Sequence, residues 1–401
     1  MYNAGAVRFS RVEFSFEKKS EHITIFEKIP SLTIGSIKAR VPIIQGGMGV
    51  GISLSGLASA VAKAGAIGVI ATAGIGQFEP DCLTNFKEAN KRALRKEIAK
   101  AKANADGGII GINIMVALSD FDDLVQCAVD ERADILFLGA GLPLKLPATL
   151  PLDSLGSLHT KFAPIVSSGR AADLIFKSWA KHFNHVPDAA VVEGPMAGGH
   201  LGFKKEQIDA PDYMLEKILP DVLAAVKPYE QRFGKSIPVI AGGGIYTGRD
   251  IYKFMKMGAS AVQMATRFVA TYECDAADEF KQAFIKCKKE DIVIIDSPVG
   301  LPGRAIRCDF LDRVCSGIKE KFECPWKCLK SCDFKNVPYC IAKALTNAKN
   351  GDLANGFVFA GANVFRVDKL VSVKELIDGL MEEFQRCIAE KSAPLFSTPA
   401  P

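Results

Sequence analysis

Three groups of residues in this chain have types and spacings suited to chemistry. The first lies within residues 237–271, IPVIAGGGIYTGRDIYKFMKMGASAVQMATRFVAT. Two short apolar runs, 237–241 and 261–264, are separated by a helical length of chain; one ends in Gly242, Gly243 and Gly244, the other in Ala265, Thr266 and Arg267. Glycine and alanine let a ligand approach the main chain closely. A helix starting behind each strand end adds its positive dipole end. Two such ends side by side make an anion cradle, so a phosphorylated ligand is expected there.

The second group is His200, in the loop EGPMAGGHLGF over residues 193–203. Three nearby glycines open that loop to a bulky ligand, and an imidazole that titrates near neutral pH suits proton transfer. The remaining histidines, His22, His159, His182 and His185, fall in predicted helices or connections and are read as structural.

The third group is Cys324, Cys328 and Cys332, in CPWKCLKSC, with Cys340 beyond. A spacing of four places the first three thiols on one face of a helix. Four thiolates can hold zinc or an iron–sulfur cluster. The spacing matches neither the C-x₂-C ferredoxin run nor a zinc ribbon, so free or redox-active thiols are the favoured reading and no metal is assigned. Cys308 and Cys315 are secondary candidates.

These groups must be positioned by a large fold. The 401 residues allow two average domains or one barrel with an added segment. A hydrophobic content of 48% with 24% charged residues permits a sizeable core and does not indicate disorder. The net charge of +5 is small, and the lysines of 281–289 and 319–330 interleave with acids, which reads as solvated helix faces rather than a nucleic-acid surface. The longest weakly polar stretch, 58–75, carries Lys63 and several glycines, so no membrane span is expected. The N-terminus lacks the pattern of a secretory signal, which makes a cytoplasmic location the expectation. Eleven cysteines then suggest reduced thiols or metal ligands rather than a disulfide framework.

Eight short apolar runs alternate with helical segments, at 41–45, 66–72, 109–114, 134–138, 162–167, 189–193, 237–241 and 261–264. Helices are predicted over 53–63, 81–104, 120–132 and 171–183. The alternation predicts α/β architecture with parallel strands buried on both faces. Regular succession of eight units favours a closed TIM (β/α)₈ barrel over an open doubly wound sheet, and in a barrel the loops after strands seven and eight form a common phosphate site. The expected domains are a lead-in over 1–40, including a hairpin that plugs the barrel bottom, the barrel over 41–272, and a C-terminal helical, cysteine-rich extension over 273–401. That extension, with helices at 278–290, 341–350 and 373–388 and a mobile tail from 392, is expected to pack over the catalytic end.

The ordered set of motifs resembles the nitronate monooxygenase family, formerly called 2-nitropropane dioxygenases, which includes FMN-dependent enoyl-ACP reductases. The resemblance rests on Pro42–Ile43–Ile44–Gln45–Gly46–Gly47–Met48, on Gly111–Ile112–Asn113–Ile114, on the AGGHLG loop, and on GGGI followed by GASAVQMATRF. Each motif is weak alone, and the order is specific.

The resemblance implies FMN in the barrel. It implies that Gly242, Gly243, Gly244, Ala265 and Thr266 hold the phosphate through backbone amides and the threonine hydroxyl. Gly47 and Met48 would lie against the ring, with Gly46, Gly198 and Gly199 counted among the cofactor contacts. Asn113 would bond the ring's polar edge, and Ser167 and Glu193 would contact the ribityl chain or ring edge. His200 would stand beside the substrate and the flavin N5. The implied activity is oxidation of alkyl nitronates with O₂, and the implied partner is a small-molecule substrate, with homo-oligomerisation left open. One alternative is an NAD(P)H-dependent reductase of enoyl thioesters. Another, of a different class, is a flavin-binding redox-sensing or interaction protein without turnover. An enzyme like IMP dehydrogenase would need a nucleophilic cysteine in a barrel-top loop, and the loop after strand six has none. Many family members carry Glu-Ala-Gly-Gly-His where this chain has Met196–Ala197–Gly198–Gly199–His200, a departure that bears on the substrate and not on FMN binding.

Overall fold

The computed structural model describes residues 29–392 except Pro325. The early lead-in and the tail beyond residue 392 lie outside the described residues. Strands β1 (Leu32–Ile34) and β2 (Ile37–Ala39) form an antiparallel hairpin. Next come β3 (Ile43–Gln45), β4 (Ile67–Ala71), β5 (Ile109–Met115), β6 (Ile135–Gly139), β7 (Lys161–Val166) and β8 (Ala190–Glu193). The two-residue β9 (Gly199–His200) lies off the barrel, and β10 (Val239–Gly242) and β11 (Ala261–Met264) complete it. All eight barrel strands are parallel, and β11 closes the ring against β3, with Val262 opposite Ile43. The fold is a TIM barrel.

Alternation along the strands explains the closure. Ile44, Ile67, Val69, Ile135, Phe137, Val191 and Ile240 fill the barrel interior together with Leu32 and Ile34 of the hairpin. Their neighbours Ile43, Ile70, Ile112, Leu136, Leu138 and Val262 belong to the shell beneath the helices. Both faces are therefore apolar, as a parallel sheet requires.

The outer helices are α1 (Ser55–Lys63), α2 (Phe86–Asn104), α3 (Phe121–Asp130), α4 (Gly169–His182), α5 (Leu215–Phe233), α6 (Gly248–Lys256) and the short α7 (Thr266–Val269). Helix α2 begins at Phe86, five residues after the predicted start, because Glu79 and Asp81 are drawn into ion pairs with Arg92 instead of opening the helix. No helix is predicted over 215–233, yet α5 is as long as α2 and carries Pro220 and Pro228.

Beyond the barrel the chain is not purely helical. Helix α8 (Asp278–Lys286) is followed by β12 (Ile292–Asp296), β13 (Pro302–Ile306), α9 (Asp309–Cys315), α10 (Ile341–Lys349), β14 (Val358–Phe359) and α11 (Val373–Ser392). Strands β12, β13 and β14 form an antiparallel sheet, and β9 joins it by pairing with β13. Helix α11 packs on the barrel flank rather than the mouth. Glu383 accepts from the Gly248 amide at 2.7 Å, and Phe384 meets Tyr252 edge to face. No helix among the described residues is long and apolar enough to cross a membrane.

Candidate active site

The C-terminal ends of the strands open into a cavity of about 240 Å³. Gly47 and Met48 enter it from the loop after β3, Asn113 from β5, Gly198, Gly199 and His200 from the β8–β9 loop, and Ala265 and Thr266 from the end of β11. The opposite wall comes from the C-terminal segment, with Phe280 and Phe284 of α8, Leu345 of α10 and Phe359 of β14. No Asp, Glu, Lys or Arg lines this cavity among the described residues.

A narrower pocket of about 60 Å³ shares Gly198, Ala265, Thr266 and Gly361 with the cavity and continues to Glu193, Gly243, Gly244 and Asn363. Gly243 and Gly244 hold φ of +95° and +84°, in the left-handed region that only glycine enters at little cost. A Cβ on Gly243 would stand 2.6 Å from the Gly194 carbonyl oxygen. The turn aims donors outward: among the described residues the amides of Gly243, Gly244 and Ala265 donate to no protein acceptor. Thr266 Oγ1 accepts from the Gly361 amide at 3.1 Å, which leaves its own proton available to a ligand. Tyr246, which lines the pocket, lies between the guanidiniums of Arg267 and Arg366, 4.8 and 4.2 Å from its ring centre. Unpaired amides with a free hydroxyl proton are the donor set that a phosphate needs.

Glu193 ends β8 and faces the same pocket. Its carboxyl finds no hydrogen-bond partner among the described residues, and burial pushes it up to about 7. It is thus largely protonated below neutral pH and can then donate to a ligand oxygen.

His200 is placed by the C-terminal segment. It pairs with Gly303 of β13, and the next amide, Leu201 N–H, donates to Pro302 O at 2.9 Å. Its Nε2 is 2.7 Å from Ser297 Oγ, and its ring meets Phe359 edge to face at 5.0 Å. The expectation of an imidazole near its ordinary value does not hold. Burial pulls His200 down to about 4, with no carboxylate alongside to offset the desolvation. At neutral pH it is an uncharged hydrogen-bonding group. Arg304 of β13, 5% exposed, clamps the same loop by donating to Pro195 O and Ala197 O at 2.5 and 2.7 Å.

The close fit of the β3 loop is steric. A Cβ on Gly47 would come within 2.3 Å of Asn113 Cβ, so glycine is what lets that loop lie on the asparagine. Three expected contacts do not line either pocket. Gly46 donates its amide to Met264 O at 2.8 Å, sealing the barrel. Gly242 is buried within β10, its carbonyl accepting from Gly194 N. Ser167 Oγ donates to Gly202 O at 3.0 Å. Sequence reasoning missed Ser297, Arg304, Asn363 and Arg366, which lie far along the chain in no recognisable motif.

The cysteine expectation also changes. Among the described residues no helix runs between α9 and α10, so Cys324, Cys328 and Cys332 do not share a helical face. Cys328 instead lines the larger cavity.

Comparison with known proteins bears on this site. The sequence model for nitronate monooxygenase matches residues 31–383. A relative in Rhodococcus jostii, a (3aS,4S,5R,7aS)-5-hydroxy-7a-methyl-1-oxo-octahydro-1H-indene-4-carboxyl-CoA dehydrogenase, is 25% identical over 85% of this chain and 92% of its own length. A probable nitronate monooxygenase of Staphylococcus saprophyticus is 23% identical over 82% of this chain and 88% of its own. Among solved structures, FabK from Thermotoga maritima superposes with a TM-score of 0.67 at 28% identity, covering 88% of this chain and 95% of that one.

Proposed function

This chain belongs to the nitronate monooxygenase family and is an oxidoreductase, and from that premise we propose that it is FMN-dependent and oxidises alkyl nitronates with O₂. The observation that carries the reading is the adjacency of two spaces: an amide-lined pocket suited to a phosphate shares Gly198, Ala265, Thr266 and Gly361 with a cavity whose wall holds His200. A flavin held by these residues would supply the redox chemistry.

The chain's own residues position and exclude. The free amides of Gly243, Gly244 and Ala265, with the Thr266 hydroxyl, would hold the phosphate, and protonated Glu193 would donate to a neighbouring oxygen. Gly47 and Asn113 provide a flat, close-approach wall, with the asparagine amide as a donor to a ring edge. His200, uncharged and fixed by Ser297, would offer a hydrogen bond to the substrate's polar group. Phe280, Phe284 and Phe359 keep water from the reacting face.

A second reading is favoured by the cavity's lining. A wall without a charged side chain, rich in Val, Ile, Leu and Phe, fits an apolar acyl chain better than a small anion. It supports reduction of an enoyl thioester with NAD(P)H, in keeping with the likeness to FabK and to a CoA-ester dehydrogenase. Anaerobic mixing of the purified yellow protein with an alkyl nitronate or with NADPH separates the two. Loss of flavin absorbance with nitronate alone supports the first reading; loss with NADPH alone replaces it by the second. A protein that takes up no FMN overturns both.

A further inference from the structure

Between α9 and α10 the chain runs for more than twenty residues without a helix or barrel strand. Loops of that length inside a compact fold are uncommon and are usually functional. It is held to the barrel by several bonds: Lys330 N–H donates to Ala117 O, Ser119 N–H to Cys328 O, and Trp326 Nε1–H to Cys82 O. Its interior contains sulfur. Cys324, Cys328, Cys332 and Cys340 line one small enclosed space together with Phe322, Leu329, Phe334 and Ile341. None of the four is in a disulfide.

The donor set is all thiol, with no carboxylate or imidazole in the lining, which selects soft metals. The apolar shell is the kind that limits solvent access to a thiolate-bound metal. Cys340 stands at the N-terminal boundary of α10.

Geometry chooses between metals. Zinc sits about 2.3 Å from every sulfur of a four-cysteine site, which forces the thiols onto one point. Among the described residues no three His, Cys, Asp or Glu side chains are arranged to share a single ion. A cubane cluster instead gives each thiolate its own iron, so the thiols need only surround a volume. We propose that Cys324, Cys328, Cys332 and Cys340 hold an iron–sulfur cluster in the wall of the active-site cavity, with Cys328, Leu329, Ile341 and Ala342 common to both spaces. The proposal is independent of which substrate the cavity takes.

The test uses the full chain, purified without oxygen and supplied with ferrous iron and sulfide. Iron and acid-labile sulfide are then measured, with electron paramagnetic resonance after dithionite reduction. The expected result is about four of each per chain and a cluster signal distinct from flavin. C328S and C340S should lose both, while C315S, at an exposed thiol outside the group, should keep them. Zinc as the only bound metal, Cys328–Cys340 or other pairs found as disulfides, or no iron after reconstitution of a folded protein would each overturn the proposal. If the serine variants do not fold, the wild-type iron and sulfide content decides alone.

Discussion

Replacing Glu193 by glutamine removes the only carboxyl in the narrower pocket while keeping its shape. The carboxyl is raised from 4.5 to about 7 by burial alone. Below about pH 4.5 both folded and unfolded chains carry the proton, and stability does not depend on this group. Between the two values the unfolded chain loses its proton first, so stability falls as pH rises, and the loss is complete above about 7. At about 1.36 kcal/mol per unit the penalty is roughly 3 kcal/mol. E193Q should therefore unfold at higher urea than wild type at about pH 8 and at the same urea near about pH 4. Ligand binding adds a second readout. The FMN phosphate is a dianion above about pH 7, and an ionised Glu193 beside it opposes binding. Wild-type affinity should drop by up to about tenfold per pH unit above the carboxyl's value, and E193Q should lack that slope. Flavin fluorescence titrations of both proteins across this range measure it. Parallel affinity profiles would refute the placement of the phosphate next to Glu193.

Other substitutions probe separate parts of the site. G243A puts a side chain at φ +95° and 2.6 Å from Gly194 O; with strain of roughly 1–3 kcal/mol it should weaken FMN at least about tenfold, read from flavin content and dissociation constant. H200A removes a positioned hydrogen-bonding group and should lower kcat by roughly a hundredfold with flavin binding unchanged. The wild-type pH–rate profile should show no His200 limb near the ordinary imidazole value of 6.5, since its ionisation lies at about 4. S297A loses the 2.7 Å partner of His200; about 1 kcal/mol of lost positioning predicts a severalfold lower kcat at nearly unchanged KM. D275A strips the carboxylate that accepts from the amides of Leu54, Gly56 and Leu57 at the start of α1, and should cost roughly 3 kcal/mol in urea unfolding.

What was legible in the sequence follows the range over which each signal acts. The barrel strands announce themselves because both faces are apolar, so each is a local run that needs no tertiary knowledge. Gly243, Gly244, Ala265 and Thr266 are legible for the same reason, as a strand end is a local event. Helix α5 is not, since Pro220 and Pro228 lower its helical signal while Leu215, Ile218, Leu219, Val222 and Val226 hold it to the barrel from outside. Ser297 and Arg304 are invisible for a different reason: their roles exist only once β13 lies against β9, more than ninety residues away in sequence. The ordinary pKa assumed for His200 fails on the same point, because its surroundings are built by distant segments.

That division has a consequence for how the site is tuned. The amide-lined pocket is made mainly by β8, β10 and β11 and their loops, rigid parts of the barrel. The reacting residue is not. His200 is hydrogen-bonded to Ser297 at the end of the β12 strand, ring-packed on Phe359 of β14 and held in register by Gly303 of β13. Gly303 cannot grow, since a Cβ there would lie 2.8 Å from the Phe359 ring. A change at Gly303 should then push Phe359 and displace His200 without reaching the Gly243 turn. G303A is expected to bind FMN with wild-type affinity and to lose kcat. Equal loss of both would mean that pocket and cavity move as one body, and the assignment of chemistry to the C-terminal sheet would fall.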